Sequence, residues 1–244
     1  MTTPPAKPPL EIYLLGAVDF GEVQQLQRRL VYEHGERGGA TLLLCEHPPT
    51  LSVGRLGSRA HVAVDDAALA GMGIRTHWVN RGGGCVLHLP GQLCGYFVTP
   101  LGPAAVPAMR HVERLQDVLL SVLDEFELRG EVRHLPHGVY LGAARVASIG
   151  VAISRGIAYH GFTLNVGPYL DLFDVLVEPG LSGSRLRQTS MESRRQRPTL
   201  MSKVREALVR QTERVFELDR HHLYTHHPRL RRKVLTHAYA PSPG

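Results

Sequence analysis

Residues 81–92 read RGGGCVLHLPGQ, and they place glycines, a thiol and an imidazole within one short stretch. Glycine clusters let backbone N–H groups approach a ligand closely. Three chemistries fit the residue types: a phosphate cradle, a metal site built on Cys85 and His88, and an acyl-transfer site. The chain has no GxxxxGK[ST] stretch, and GGGCVLHLPG does not follow GxGxxG, so neither nucleotide fingerprint is supported. Cys85, His88 and Cys94, or His221, His222, His226 and His227 near the end, offer metal-ligand types without finger-like spacing. No metal site is expected. Acyl transfer needs a nucleophile or activated amine, a proton carrier and donors for the oxyanion. The glycines supply donors. His47, His88 and His160 each adjoin turn-forming residues (HPP, HLPGQ, HGF), which suggests that they line a cleft.

The elements that must position these groups follow from periodicity. Strands are expected at 11–18, 41–47, 74–80, 92–101, 138–142, 145–154 and 156–166. Helices are expected at 20–35, briefly at 65–71, at 106–127 and at about 199–218 with Thr199 as N-cap. In the third, Val112, Leu115, Leu119, Val122, Leu123 and Phe126 form one apolar stripe. Residues 50–64 and 167–198 read as irregular. Strands cluster late without regular β-α alternation, which predicts an α+β fold, mixed sheets flanked by helices. The expected organisation is a Pro-rich disordered leader over 1–10, one domain over 11–218, and a basic, His-rich tail over 219–244.

Composition is that of a globular chain: 244 residues, 43% apolar and 20% charged. No apolar run reaches the roughly 18 residues of a bilayer span, and no secretory signal is visible, so no membrane role is expected. Three cysteines do not make a disulfide framework, which predicts a reducing, cytoplasmic setting. The net charge of +6 is uneven. Residues 182–244 hold 14 basic and 5 acidic side chains, and the remainder is slightly acidic. The basic quarter reads either as a solvated surface or as a dock for an acidic partner. Few aromatics interleave with its arginines, which argues against nucleic acid.

Four stretches together carry a family resemblance: HPPTLSVGR (47–55), RGGGCVLHLPGQ (81–92), GVYLGAARVASIGV (138–151) and HGFTLNV (160–166), with QTS at 188–190. Over about 11–218 the chain is similar to the lipoyl(octanoyl) transferase family, within the lipoate and biotin protein ligase superfamily. Those octanoyltransferases move an octanoyl group from acyl carrier protein to lipoyl domains. The resemblance implies the superfamily's α+β fold and no cofactor. Its implied partners are octanoyl-acyl carrier protein and the lipoyl domains of 2-oxoacid dehydrogenases or the glycine cleavage H protein. It implies an acyl pocket lined by Arg81, Gly82, Gly83, Gly84, Cys85, Val86, Leu87 and His88, by Ser148, Ile149 and Gly150, and by His160, Gly161, Phe162 and Thr163.

The resemblance breaks at the family's reactive pair. Its lysine, in a G-x-K-[IV]-x-x-[IL]-G stretch, falls at Arg145. Its cysteine, in a P-C-G stretch, falls at Pro179. Proline offers neither a nucleophile nor an N–H. Arginine stays charged at physiological pH, so it holds an anion but does not shuttle a proton. Glu178 is a poor substitute for a thiolate. Cys85, beside His88 and with Arg145 as a charge partner, is then the candidate for a relocated nucleophile. Two readings follow: octanoyl transfer by an altered mechanism, through Cys85 or directly in a ternary complex, and a catalytically inactive homologue that binds an octanoyl or lipoyl group or a lipoyl domain. A third, metal or nucleic-acid binding through the basic end, leaves the pocket motifs unexplained.

Overall fold

A computed structural model of the chain describes residues 9–102, 108–134, 137–177, 187–218 and 220–233. Eleven strands are present among these: β1 (Leu10–Ala17), β2 (Ala40–Glu46), β3 (Thr50–Val53), β4 (Arg75–Trp78), β5 (Cys85–His88), β6 (Gln92–Pro100), β7 (Glu131–His134), β8 (His137–Leu141), β9 (Ala144–Ser154), β10 (Ile157–Asn165) and β11 (His221–Tyr224). The helices are α1 (Phe20–Arg37), α2 (Asp66–Gly71), α3 (Ala108–Glu125), α4 (Met191–Arg195) and α5 (Met201–Phe216). An eight-stranded sheet runs β11-β1-β2-β6-β10-β9-β8-β7, and a three-stranded sheet runs β4-β3-β5. β1 pairs in parallel with β2 and β11, whereas β6, β10, β9 and β8 pair antiparallel. The fold is α+β with mixed sheets, as expected.

Both faces of the large sheet are covered. On one face α3 and α5 bury Val112, Leu115, Leu119, Val122 and Leu123 against Val146, Ile149, Phe162 and Leu164. On the other α1 lays Val23, Leu26, Leu30 and Val31 against Tyr96, Val98 and Tyr159. A third cluster lies within the small sheet, around Leu51, Val53, Cys85 and Leu87. The sequence of β10 alternates like a half-buried strand, yet all nine of its residues are buried. The reason is its central place, with covering layers on both faces.

Local chemistry sets the element ends. Asp19 caps α1 by accepting from the Glu22 N–H, and its second oxygen accepts from Arg75 at 2.8 Å. Asp65 caps α2 in the same way. The expected Thr199 cap of α5 is not found. Leu200 occupies the cap without a side-chain bond, and the Thr199 N–H donates to Glu192 Oε1. Two stretches read as irregular contain regular structure: 50–53 forms β3, and 167–198 holds a 3-10 turn at Leu170–Val175 and α4. Residues 85–88, read with the glycine loop, form β5. The stretch 220–233, expected beyond the domain, supplies edge strand β11 with Leu10↔His221 and Tyr13↔Tyr224 in register. Tyr13 also stacks on Tyr224, their ring centroids 4.8 Å apart. These contacts are non-local pairings that periodicity does not report.

Candidate active site

The glycine loop packs against β9 before it meets any ligand. The Gly82 N–H donates to Val151 O at 2.9 Å. A Cβ at Gly150 would sit 2.7 Å from Gly82 O, and one at Gly161 would sit 2.2 Å from Gly95 O. Gly83 has φ +82, which turns the loop before β5. The N–H groups of Gly83 and Gly84 make no hydrogen bond among the described residues.

Arg81 folds inward from this loop. Its Nη2 donates to Ser52 O at 2.9 Å and Ser52 Oγ at 2.8 Å, and Nη1 donates to Gly82 O at 3.0 Å. Ser52 Oγ, which accepts from Arg81, lies 2.9 Å from His88 Nε2 and 3.3 Å from the Val86 carbonyl oxygen. The other nitrogen of His88 lies 3.4 Å from Cys94 Sγ. His47 Nδ1 donates to Val18 O at 2.8 Å, so its Nε2 accepts from the Tyr96 hydroxyl at 2.8 Å. His160 has φ 63, uncommon for a side chain of its size, and its N–H is received by Gln27 Oε1 at 2.8 Å.

These groups enclose a cavity of about 30 Å³ lined by Phe20, Gln24, Arg81, Val86, His88, Tyr96, Ser148, Ile149, Gly150, His160, Gly161, Phe162 and Thr163. A wider cavity of about 260 Å³ adjoins it and shares Ile149 and Gly150; Arg55, Gly82, Gly83, Val112, Val151 and Ile153 help to line it. Burial pushes His47 down to about 4 and His160 down to about 3, the latter aided by the Arg81 charge. Burial, then His47 and Arg81, hold His88 well below the ordinary histidine value. Burial brings Arg81 down to about 10, still protonated at neutral pH, and no carboxylate is among the groups that bear on it. Two neutral imidazoles, His88 and His160, line the inner cavity with the Arg81 cation; His47, expected in the cleft, lines neither cavity and packs behind His88, ring centroids 5.7 Å apart.

The structure brings Arg81, Val86, His88, the 148–150 turn and the 160–163 turn together around one space. It separates others. Cys85 and Leu87 project from the opposite face of β5 into the third core cluster, and Cys85 Sγ lies 3.7 Å from Ser58 O. Strand alternation is the cause, since Val86 and His88 take the cavity side. Gly82 and Gly83 line the wider cavity, and Gly84 lines neither. Arg145 is buried in β9 but lines neither cavity. Its backbone exchanges hydrogen bonds with 187–189, and the Gln188 carboxamide oxygen accepts from its Nη2 at 2.9 Å. Glu178 and Pro179 lie outside the described residues. Sequence reasoning missed Phe20, Gln24 and Tyr96. The available signal was on α1, where Gln24 and Gln27 interrupt the apolar stripe and are nevertheless buried.

The profile of the lipoyl protein ligase A/B catalytic domain matches residues 19–213. An octanoyltransferase of Acidobacterium capsulatum is 36% identical over 222 residues, 85% of this chain and 90% of that protein. One of Chloroflexus aurantiacus is 35% identical over 215 residues, 86% of this chain and 95% of that protein. Among solved structures, a lipoate-protein ligase A bound with ATP superposes with TM-score 0.66 at 15% identity, covering 94% of this chain and 90% of that one. A structure from the lipoylation system of Thermoplasma acidophilum, a bipartite lipoate protein ligase and its E2 lipoyl domain, superposes with TM-score 0.69 at 18% identity over 88% of this chain and 87% of that one. At those identities the superpositions speak to the fold. The profile match and the relatives carry the assignment: this chain belongs to the lipoyl protein ligase A/B catalytic-domain family.

Proposed function

We propose that this chain is an octanoyltransferase that moves an octanoyl group from acyl carrier protein to a lysine of a lipoyl domain, such as those of 2-oxoacid dehydrogenases or the glycine cleavage H protein. The relatives named octanoyltransferase, at about 35% identity over most of both chains, are the observation that carries this reading. The site chemistry supports it. The acyl chain enters the wider cavity over Val112, Ile149, Val151 and Ile153. Its thioester carbonyl meets the unused N–H of Gly83, with the Arg81 charge behind the same loop. The three buried cysteines fit a reducing, cytoplasmic setting.

The route proposed is direct transfer in a ternary complex. The neutral lysine amine attacks the thioester carbonyl, a C–N bond forms, the C–S bond breaks, and the amine proton leaves with the carrier thiolate. The placement of the Cys85 thiol on the core side of β5 favours this route over an acyl-Cys85 intermediate. Arg145 then acts as a fixed cation that holds the 187–189 segment. The test combines octanoyl-carrier protein, a lipoyl domain and the enzyme, and weighs all three intact. The expected result is an octanoyl adduct on the lipoyl domain, formed at the same rate by Cys85→Ala. An unmodified acceptor sinks the transferase reading. Loss of transfer in a folded Cys85→Ala protein sinks the direct route alone.

A further inference from the structure

Attack on a thioester drives negative charge onto its carbonyl oxygen, and donors that meet that oxygen lower the barrier. In the reaction proposed above, the Gly83 N–H is one such donor. Other polar groups of the site are badly placed to be a second. Arg145 lines neither cavity. His88 and His160 line the inner cavity, whose volume of about 30 Å³ takes one or two water-sized groups and no thioester. His137, the first residue of β8, is different: it lines the wider cavity of about 260 Å³ together with Gly82 and Gly83. It is half-buried, and its Nδ1 is shut off from water with no hydrogen-bond partner among the described residues. A proton on Nδ1 would be a buried, unpaired donor, which is costly, so the neutral ring carries its proton on Nε2. Burial, then His134 with its ring centroid 5.9 Å away, holds His137 below the ordinary histidine value, so the ring is mostly neutral at pH 7. Arg55 is the charged group that lines the same cavity, and among the described residues no carboxylate bears on His137.

We propose that His137 is a catalytic residue, a second oxyanion donor whose Nε2–H donates to the thioester carbonyl oxygen alongside the Gly83 N–H. The inference rests on the octanoyl-transfer reading of the proposed function. As the lysine amine attacks and the C–N bond forms, the carbonyl electron pair moves onto oxygen, and the two donors hold it there. As the C–S bond breaks, the pair returns to the carbonyl and both hydrogen bonds weaken. His137 keeps its proton throughout, so the amine proton still leaves with the carrier thiolate. A neutral imidazole suits this role: it polarises a carbonyl without placing a second cation in the cavity that Arg55 lines.

The test measures steady-state octanoyl transfer from octanoyl-carrier protein to a lipoyl domain by the full chain and by His137→Leu, His137→Asn and His137→Gln, each checked for folding by circular dichroism. A glutamine amide nitrogen reaches as far as Nε2, whereas an asparagine one reaches only as far as Nδ1. His137→Leu and His137→Asn are expected to lower kcat by about 10²-fold or more while KM for octanoyl-carrier protein stays within about twofold. His137→Gln, which restores a neutral donor at the Nε2 position, is expected to recover kcat to within about tenfold of the unaltered protein. If His137→Leu does not fold, the comparison of glutamine with asparagine carries the test. Unchanged kcat in His137→Leu, or in His137→Asn, overturns the inference while octanoyl transfer stands. So does a folded His137→Gln protein as slow as His137→Asn. Absence of transfer by the unaltered protein overturns the octanoyl-transfer reading, and the donor role with it.

Discussion

Acidification from pH 7 to pH 5 is expected to destabilise this protein strongly, through histidines that are buried neutral. Burial pushes His47 and His111 down to about 4 and His160 down to about 3, from an ordinary 6.5. A folded value below the unfolded one means that the unfolded chain binds more protons as pH falls below the unfolded value. Stability is then complete above about 6.5 and is lost progressively toward the folded value. At pH 5 each unfolded histidine is almost fully protonated, while each folded one is still almost neutral. The loss per residue is about 2 kcal/mol, or about 6 kcal/mol for the three. Because pH 5 lies above all three folded values, the figure depends little on where below pH 5 they fall. His88 is shifted the same way and adds to the loss. A total of this size rivals the whole stability of an ordinary domain. Urea denaturation followed by circular dichroism at pH 7 and pH 5 measures it. His111 permits a control away from the site: it lies between Phe97 and Phe216, with an unpartnered Nε2. His111→Leu should cost little at pH 7 and remove about 2 kcal/mol of the pH dependence. Equal stability at the two pH values, or an unchanged pH dependence in His111→Leu, would refute the reasoning.

Two further substitutions test the site's scaffold. Ser52→Ala removes the hydroxyl between Arg81 and His88, and should cost about 1–3 kcal/mol in thermal or urea unfolding, with reduced octanoyl transfer, because it leaves buried polar atoms unpaired; unchanged stability would mean that the hydroxyl is dispensable. Gly161→Ala places a Cβ 2.2 Å from Gly95 O, a backbone atom of the neighbouring strand. It should destabilise by about 3 kcal/mol or more and block thioester binding; wild-type unfolding midpoints would contradict that close approach.

How much was legible beforehand varied with the range of the interaction. The apolar stripe of α3 and the strands β9 and β10 were readable, because side-chain period follows from local backbone geometry. The pocket walls at 81–88, 148–150 and 160–163 were readable only as motifs, and the structure assembles most of them through the β6-β10-β9 register. Reading 85–88 as loop hid the alternation that sends Cys85 to the core and His88 to the cavity. The tail's basic, His-rich composition predicted solvent exposure, and β11 is exposed, yet it is hydrogen-bonded to β1 more than 200 residues away in sequence.

Residue order alone determined the types of the longer elements, among them α1, α3, α5, β9 and β10, and the family resemblance. Tertiary structure decided which groups meet and how they are charged. Gln24 becomes a pocket residue only because α1 lies over β6 and β10. His47, His88 and His160 stay neutral well below pH 6.5 because burial in the packed interior keeps water from them. The physical reason is range. Periodicity is set by neighbours a few residues away, whereas desolvation and hydrogen-bond partnership depend on chain segments that sequence distance does not order.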